Sequence, residues 1–248
     1  AGKNKCIAIL NLGKIEKGKK NLIVFLHGDG SPNSPRPGIP KKSQIRFAKE
    51  LINDDNNIFL FARPGYFIRE RGSSEEDRYS SGPRNAIKST IVNYDWKNFQ
   101  ILAPALQNLR KYYKPEKLIL IGHSGGAYQG GTIHGKVPGL VDINILISCP
   151  CDWEIRKKLS NGKKWETKSQ LKELKKNSPS FNYKDIDLKS LNILIVGKDD
   201  KNTAPGVSEY YYDLLKKKKL QVKLHIIDGG HGLRSMPTIG SIIKEYIN

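Results

Sequence analysis

The stretch LILIGHSGGAYQGG, Leu118 to Gly131, is apolar as far as Ile121 and then delivers histidine, serine and paired glycines into a turn. Gly122, Ser124 and Gly126 have the spacing of a nucleophile elbow, in which a strained strand-to-helix turn makes the serine Oγ stand clear of the sheet. Gly122 and Gly126 keep side chains out of the space where the helix packs on the strand, and Gly125 leaves room for a substrate beside its backbone N–H. A glycine-rich turn at a helix N-terminus also suits phosphate binding, so the pentapeptide is weighed with its context. Ser124 is the candidate nucleophile.

Three other segments supply what such a serine needs. HGDG, His27 to Gly30, ends an earlier apolar run, where the N–H of Asp29 together with that of Gly125 forms an expected oxyanion hole. His27 is read there as a structural residue that holds the loop. NILIVGKDD ends in two carboxylates, and Asp200 is preferred to Asp199 because it stands three residues after Gly197, before the turn KNTAP. Its role is to fix one imidazole tautomer and stabilise the imidazolium; the competing reading is a helix N-cap or a solvated turn. DGGHG places His231 in a loop from which a general base can swing toward Ser124. His123, His134 and His225 read as packing or surface residues.

The elements that must carry these residues are short apolar runs alternating with amphipathic ones, the pattern of parallel strands joined by helices. Strands are expected at Leu22–Leu26, Ile58–Phe61, Leu118–Ile121, Ile143–Ile147 and Ile193–Val196, and a last one runs to Ile227. Helical spacing recurs in Leu102, Ala105, Leu106, Leu109 and Tyr113, in Val207, Tyr210, Tyr211 and Leu214, and in Ile239, Ile242, Ile243 and Tyr246. Pro104 begins or kinks the first of these helices. Two polar insertions, residues 67–96 and 152–189, interrupt the alternation after strand ends and are expected to shape the substrate cleft. The whole chain, 1–248, reads as a single α/β domain.

With Ser124, Asp200 and His231 in that order, the chain resembles the α/β-hydrolase superfamily from HGDG to its last helix, and within it the esterase, lipase and prolyl-oligopeptidase-like branches. ARPGY and SCPCD, each after a strand, are similar to segments of small bacterial hydrolases of this sort. The resemblance implies a mostly parallel central sheet flanked by helices with small lid insertions, and a serine hydrolase that acts through an acyl-enzyme without metal or organic cofactor. It implies a small or medium ester, or a peptide, as substrate. The leading reading is a carboxylesterase. The alternatives are a serine peptidase of prolyl-oligopeptidase-like type, although the 248 residues lack the added propeller of the larger oligopeptidases, and a non-catalytic binding protein on a hydrolase scaffold.

Aromatics near the strand ends, Tyr66, Phe67 and Trp153 first among them, with Tyr79, Trp96 and Trp165, supply apolar cleft walls or ordinary packing. Arg63, Arg69, Arg71 and Arg84 offer bidentate donors for a carboxylate, while Glu70, Glu75, Glu76 and Asp77 lie close enough in sequence to neutralise them. The formal charge of +19 comes largely from lysines scattered over helix faces and turns, so no specific nucleic acid is expected. Cys6, Cys149 and Cys151 show neither metal-ligand spacing nor a disulfide framework, and Cys149 and Cys151, one residue apart, read as buried thiols. No run reaches the roughly 20 apolar residues of a membrane span. An N-terminus at Ala1 fits a processed secreted or periplasmic protein and a trimmed cytoplasmic one equally, and nothing in the chain sets the oligomeric state.

Overall fold

The computed structural model of the chain describes residues 7–29, 38–39, 42–64, 66–68, 72–73, 94–159, 168–232 and 237–247. In the first half lie β1 (Ile9–Leu12), β2 (Asn21–Leu26), the two-residue β3 (Gly38–Ile39), α1 (Lys42–Lys49), β4 (Asn56–Phe61), the two-residue β5 (Phe67–Ile68) and β6 (Gly72–Ser73), α2 (Trp96–Phe99) and α3 (Leu102–Tyr113). The second half holds β7 (Lys117–His123), α4 (Gly125–Lys136), β8 (Ile143–Ile147), α5 (Trp153–Leu159), α6 (Lys168–Lys176), α7 (Pro179–Asn182), β9 (Leu191–Gly197), α8 (Pro205–Lys217), β10 (Gln221–Ile227) and α9 (Pro237–Ile247).

Among the described residues seven strands form one sheet in the order β1-β4-β2-β7-β8-β9-β10. All neighbours are parallel except β1, which runs antiparallel to β4. This is the mostly parallel, helix-flanked sheet of the α/β-hydrolases. Every residue of β2, β4 and β8 is buried, which is why these strands read as dense apolar runs rather than alternating ones, with Asn21, Asn56, Asn57 and Asn144 as their buried polar residues. Alternate side chains serve opposite layers. Ile23, Phe25, Ile119, Ile121 and Ile145 pack with Phe47 of α1 and with Ile239 and Ile243 of α9. Leu22, Val24, Leu118 and Leu120 face Leu102 and Leu106 of α3 and Tyr128 of α4, while Leu146 and Leu194 meet Val207, Tyr211 and Leu215 of α8.

Pro104 falls in the first turn of α3, where its missing N–H breaks no helical bond. The insertion 152–189 contributes α5, α6, α7 and a single 3₁₀ turn at Tyr183–Asp185. Most of 67–96 lies outside the described residues. One reading is corrected: Cys149 and Cys151 are joined by a disulfide, not present as buried thiols. The two cysteine Cα atoms stand 5.1 Å apart across Pro150, inside the range a bridge requires.

Candidate active site

Because β2, β7, β8, β9 and β10 are parallel neighbours, their C-terminal ends lie along one edge of the sheet, and the loops that follow them gather there. β7 ends at His123, and Ser124 follows at φ 52°, ψ −119°, a left-handed conformation sparsely populated by side-chain-bearing residues. The Ser124 N–H donates to Ile147 O at 2.8 Å, which ties the elbow to the end of β8. The glycines around it are sterically required. A Cβ on Gly122 would lie 2.5 Å from Ala127 Cα, and one on Gly126 would strike Leu26 O.

Asp200 and His231 come together because the ends of β9 and β10 are laced by backbone bonds, Lys198 N–H to Ile227 O at 2.8 Å and Asp199 N–H to Gly229 O at 3.0 Å. His231 Nε2 is 2.9 Å from Ser124 Oγ, and His231 Nδ1 is 2.9 Å from Asp200 Oδ2. Asp200 Oδ1 also accepts the N–H groups of Asn202 and Thr203, both at 2.8 Å, and Oδ2 accepts the Thr203 hydroxyl at 2.7 Å. Burial alone would raise the Asp200 carboxyl, but the His231 hydrogen bond and charge, with the donors of Thr203, outweigh it and hold it at about 2. Asp199 is exposed, one residue away.

Asp29 stands next to Gly125, since a Cβ there would lie 2.7 Å from Asp29 Oδ1, 2.6 Å from an Arg63 guanidinium nitrogen and 2.8 Å from Tyr94 Oη. The Asp29 carboxylate receives Arg63 Nη2 at 2.6 Å, the Tyr94 hydroxyl at 2.6 Å and the Tyr66 hydroxyl at 3.2 Å. Arg63 is wholly buried; its Nη1 donates to His27 O at 2.9 Å and its backbone N–H to His27 Nε2 at 3.1 Å. Burial opposes the Arg63 charge, yet Asp29 with Tyr66 and Tyr94 raises its pKa, and burial followed by the Asp29 charge keeps Tyr94 protonated well above the ordinary phenol range. Arg63, read as a donor for a substrate carboxylate, is therefore occupied by a carboxylate of its own chain. Arg69, Arg71 and Arg84 lie outside the described residues.

Tyr66 and Trp153, read as cleft walls, are both closed to solvent. Tyr66 packs edge-on against the His27 ring, with centroids 4.2 Å apart, and Trp153 against Tyr94 at 5.2 Å. Each buttresses the site from behind its surface. Phe67 opens β5, and its side chain lies outside the described residues. His134 is buried in α4, where burial lowers it to about 4, and its Nε2 meets Ser190 Oγ at 3.1 Å, remote from the elbow. His123, expected only to pack, has its Nε2 2.9 Å from His231 O and so braces the loop that carries the imidazole.

Sequence reasoning missed Asn202, a neighbour of His231, and Arg156, which holds it. Asn202 Nδ2 is 3.1 Å from His231 Nε2, and Arg156 of α5 reaches Asn202 with Nε to the backbone O at 3.0 Å and Nη2 to Oδ1 at 2.6 Å. The G-x-x-D spacing that selects Asp200 says nothing of a side chain arriving from 46 residues away. Among the described residues no group of three or more His, Cys, Asp or Glu could hold a metal ion. No helix there is long and apolar enough to cross a membrane.

The sequence pattern of the prolyl oligopeptidase family matches residues 53–245. No curated protein matches the chain. Similar solved structures include the acylaminoacyl peptidase of Pyrococcus horikoshii, at 19% identity and TM-score 0.66, which covers 97% of this chain and 38% of that one. Est1E from Butyrivibrio proteoclasticus, solved with ferulic acid bound, has 13% identity, TM-score 0.67 and coverage of 97% and 94%. Acetyl xylan esterase 1 from Thermoanaerobacterium has 13% identity, TM-score 0.64 and coverage of 97% and 78%. The chain thus spans well under half the length of the acylaminoacyl peptidase, and at these identities the likeness is one of fold.

Proposed function

This chain belongs to the prolyl oligopeptidase family of α/β-hydrolase serine hydrolases, and from that premise we propose that Ser124, His231 and Asp200 hydrolyse a carboxylic ester through an acyl-enzyme. His231 Nε2 takes the Ser124 proton as Oγ attacks the carbonyl, and the N–H groups of Asp29 and Gly125 receive the oxyanion. Collapse of the tetrahedral intermediate forms the Ser124 acyl ester, and the alcohol leaves with the proton from His231. Water, deprotonated by the same imidazole, then attacks the acyl-enzyme, and the carboxylic acid leaves as Ser124 recovers its hydrogen. The observation that carries this reading is the continuous relay, 2.9 Å from Oγ to Nε2 and 2.9 Å from Nδ1 to a buried carboxylate. Asp200 holds the imidazole with Nδ1 protonated, so Nε2 presents a lone pair to the serine. Residues 1–248 act in this reading as one domain, with 67–96 and 152–189 bordering the cleft.

A second reading, peptide hydrolysis, is favoured by the family itself and by the fold shared with the acylaminoacyl peptidase. The chemistry is the same with an amine as leaving group, and an enzyme that cleaves an amide also cleaves the activated ester of that acyl group. Ester turnover is therefore the first assay, and turnover of the matching peptide decides between the two. The test of the shared mechanism is labelling with a fluorophosphonate and location of the adduct by mass spectrometry. An adduct on Ser124 that is lost in Ser124→Ala and in His231→Ala is expected; folded protein that takes up no label would overturn the proposal.

A further inference from the structure

His231 must return its proton to the leaving group, so the leaving atom comes within hydrogen-bond reach of Nε2. Asn202 Nδ2 stands 3.1 Å from that nitrogen and therefore borders the space into which the leaving group extends. Arg156 lies directly behind. A guanidinium carries donors only, so the 2.6 Å contact from Arg156 Nη2 fixes the amide with Oδ1 toward Arg156 and Nδ2 toward His231. The guanidinium also lies over the Trp153 ring, 4.4 Å from its centroid, which holds the half-buried side chain in one orientation.

Both oxygens that receive Arg156 are neutral. The carboxylates around it are engaged elsewhere. Asp152 takes the Ile155 N–H at 2.9 Å and the Ser180 hydroxyl at 2.6 Å, Glu154 pairs with Lys175 at 2.9 Å, and Asp200 faces Thr203 and His231. The residues that follow Arg156 on α5 are Lys157 and Lys158, which add charge of the same sign. The leaving-group side of the site thus holds a positioned cation whose acceptors among the described residues are neutral. A carboxylate adds charge–charge attraction to the hydrogen bond that a neutral carbonyl already accepts from a guanidinium, and the planar fork engages both of its oxygens.

We propose that Arg156, with Asn202, selects substrates whose leaving group carries a carboxylate a few bonds beyond the scissile oxygen or nitrogen. This rests on the hydrolase reading above and names the substrate class of the same site: an ester of a hydroxy acid, or an amide of an amino acid whose carboxylate is free. The +19 charge of the chain draws such anions toward the protein, while Arg156 distinguishes where on the substrate the charge sits.

The test compares the acetyl esters of 4-hydroxybenzoate and 4-hydroxybenzamide, each kcat/KM corrected by that ester's rate of alkaline hydrolysis. The expected preference for the carboxylate is about tenfold, on the order of what an ion pair adds to a hydrogen bond whose donor is already charged. Arg156→Met should lower the ratio several-fold, to what the remaining net charge alone supplies, and Arg156→Lys should keep part of it. Because both esters meet the same variant, the ratio cancels any general loss transmitted through Asn202 to His231. A ratio near one in the unaltered protein, a ratio unchanged by Arg156→Met, or a preference found only when the carboxylate is moved to the acyl half would overturn the inference. Turnover of the benzamide ester separates those results from failure of the hydrolase reading, in which neither ester is cleaved and Ser124 stays unlabelled.

Discussion

Asp200 Oδ2 lies 2.9 Å from His231 Nδ1, and three further donors from Asn202 and Thr203 converge on the same buried carboxylate. Its folded pKa, about 2 against an ordinary 3.8, is depressed, so the carboxylate contributes stability that is fully present above the unfolded value and is lost as pH falls through the folded one. Asp200→Asn should therefore flatten the difference in unfolding free energy between pH 4 and pH 2 that the unaltered chain shows. Urea denaturation of both proteins across that window measures it; parallel curves would mean that Asp200 is not held by these donors. In the same variant kcat should fall by about 10⁴, because an amide leaves the imidazole in the wrong tautomer.

Ser124→Ala and His231→Ala should each lower kcat by roughly 10⁴–10⁶, and the double variant should be no slower than the worse single one, because the two groups act as a unit. Multiplying losses would show that they act independently. Ser124 also stores strain at φ 52°. Ser124→Gly should gain about 1 kcal/mol of stability, since glycine adopts that conformation freely, while Ser124→Ala gains nothing from this source. Chemical denaturation of the two inactive variants side by side checks the sign.

The elements around these residues are legible where burial leaves few options. A strand covered on both faces, such as Ile143–Ile147, is apolar but for the buried Asn144, and the elbow admits only glycine where a Cβ would meet Leu26 O. β1 escaped notice because it alternates exposed and half-buried residues at the sheet edge. Arg63 and Asp29 were read separately because they follow different strands, β4 and β2, which only the sheet order makes neighbours. Arg156 and Asn202 meet through tertiary packing of an insertion, and the cysteine bridge closes across Pro150 through a local backbone turn that a C-P-C spacing does not announce.

Adjacent glycines of the elbow should respond differently to the same added methyl. On Gly126 the Cβ meets backbone oxygens of Leu26 and His27 in β2 and its exit, which cannot yield without moving the strand. Gly126→Ala should therefore cost about 3 kcal/mol or fail to fold. On Gly125 it meets side-chain ends of Arg63, Asp29 and Tyr94, which can withdraw by small rotations. Gly125→Ala should keep most of its thermal stability while losing ester turnover, and a differential scanning trace set against kcat separates the two cases. Equal thermal losses would show that the Arg63 cluster is as unyielding as backbone.

The Arg63 cluster also yields the prediction that most directly links packing to rate. Arg63 is wholly buried and joins Asp29 Oδ1 to His27 O, so it fixes the turn on which the Asp29 N–H is presented. Arg63→Met removes the cation and leaves the Asp29 carboxylate bonded to two tyrosine hydroxyls alone among the partners described above, at a cost of roughly 3 kcal/mol. Asp29→Asn keeps the shape and should cost less. The double variant should be more stable than the sum of the two losses predicts, because the charge stranded by the first change is removed by the second. On the proposed oxyanion role of the Asp29 N–H, which acts on the transition state, Arg63→Met should lower kcat by about 10² with little change in KM. Arg63→Lys retains the charge but not the fork, and should recover stability more fully than rate. A rise in KM at unchanged kcat would place the cluster in ground-state binding instead, and strictly additive stabilities would show that Arg63 and Asp29 do not sense one another.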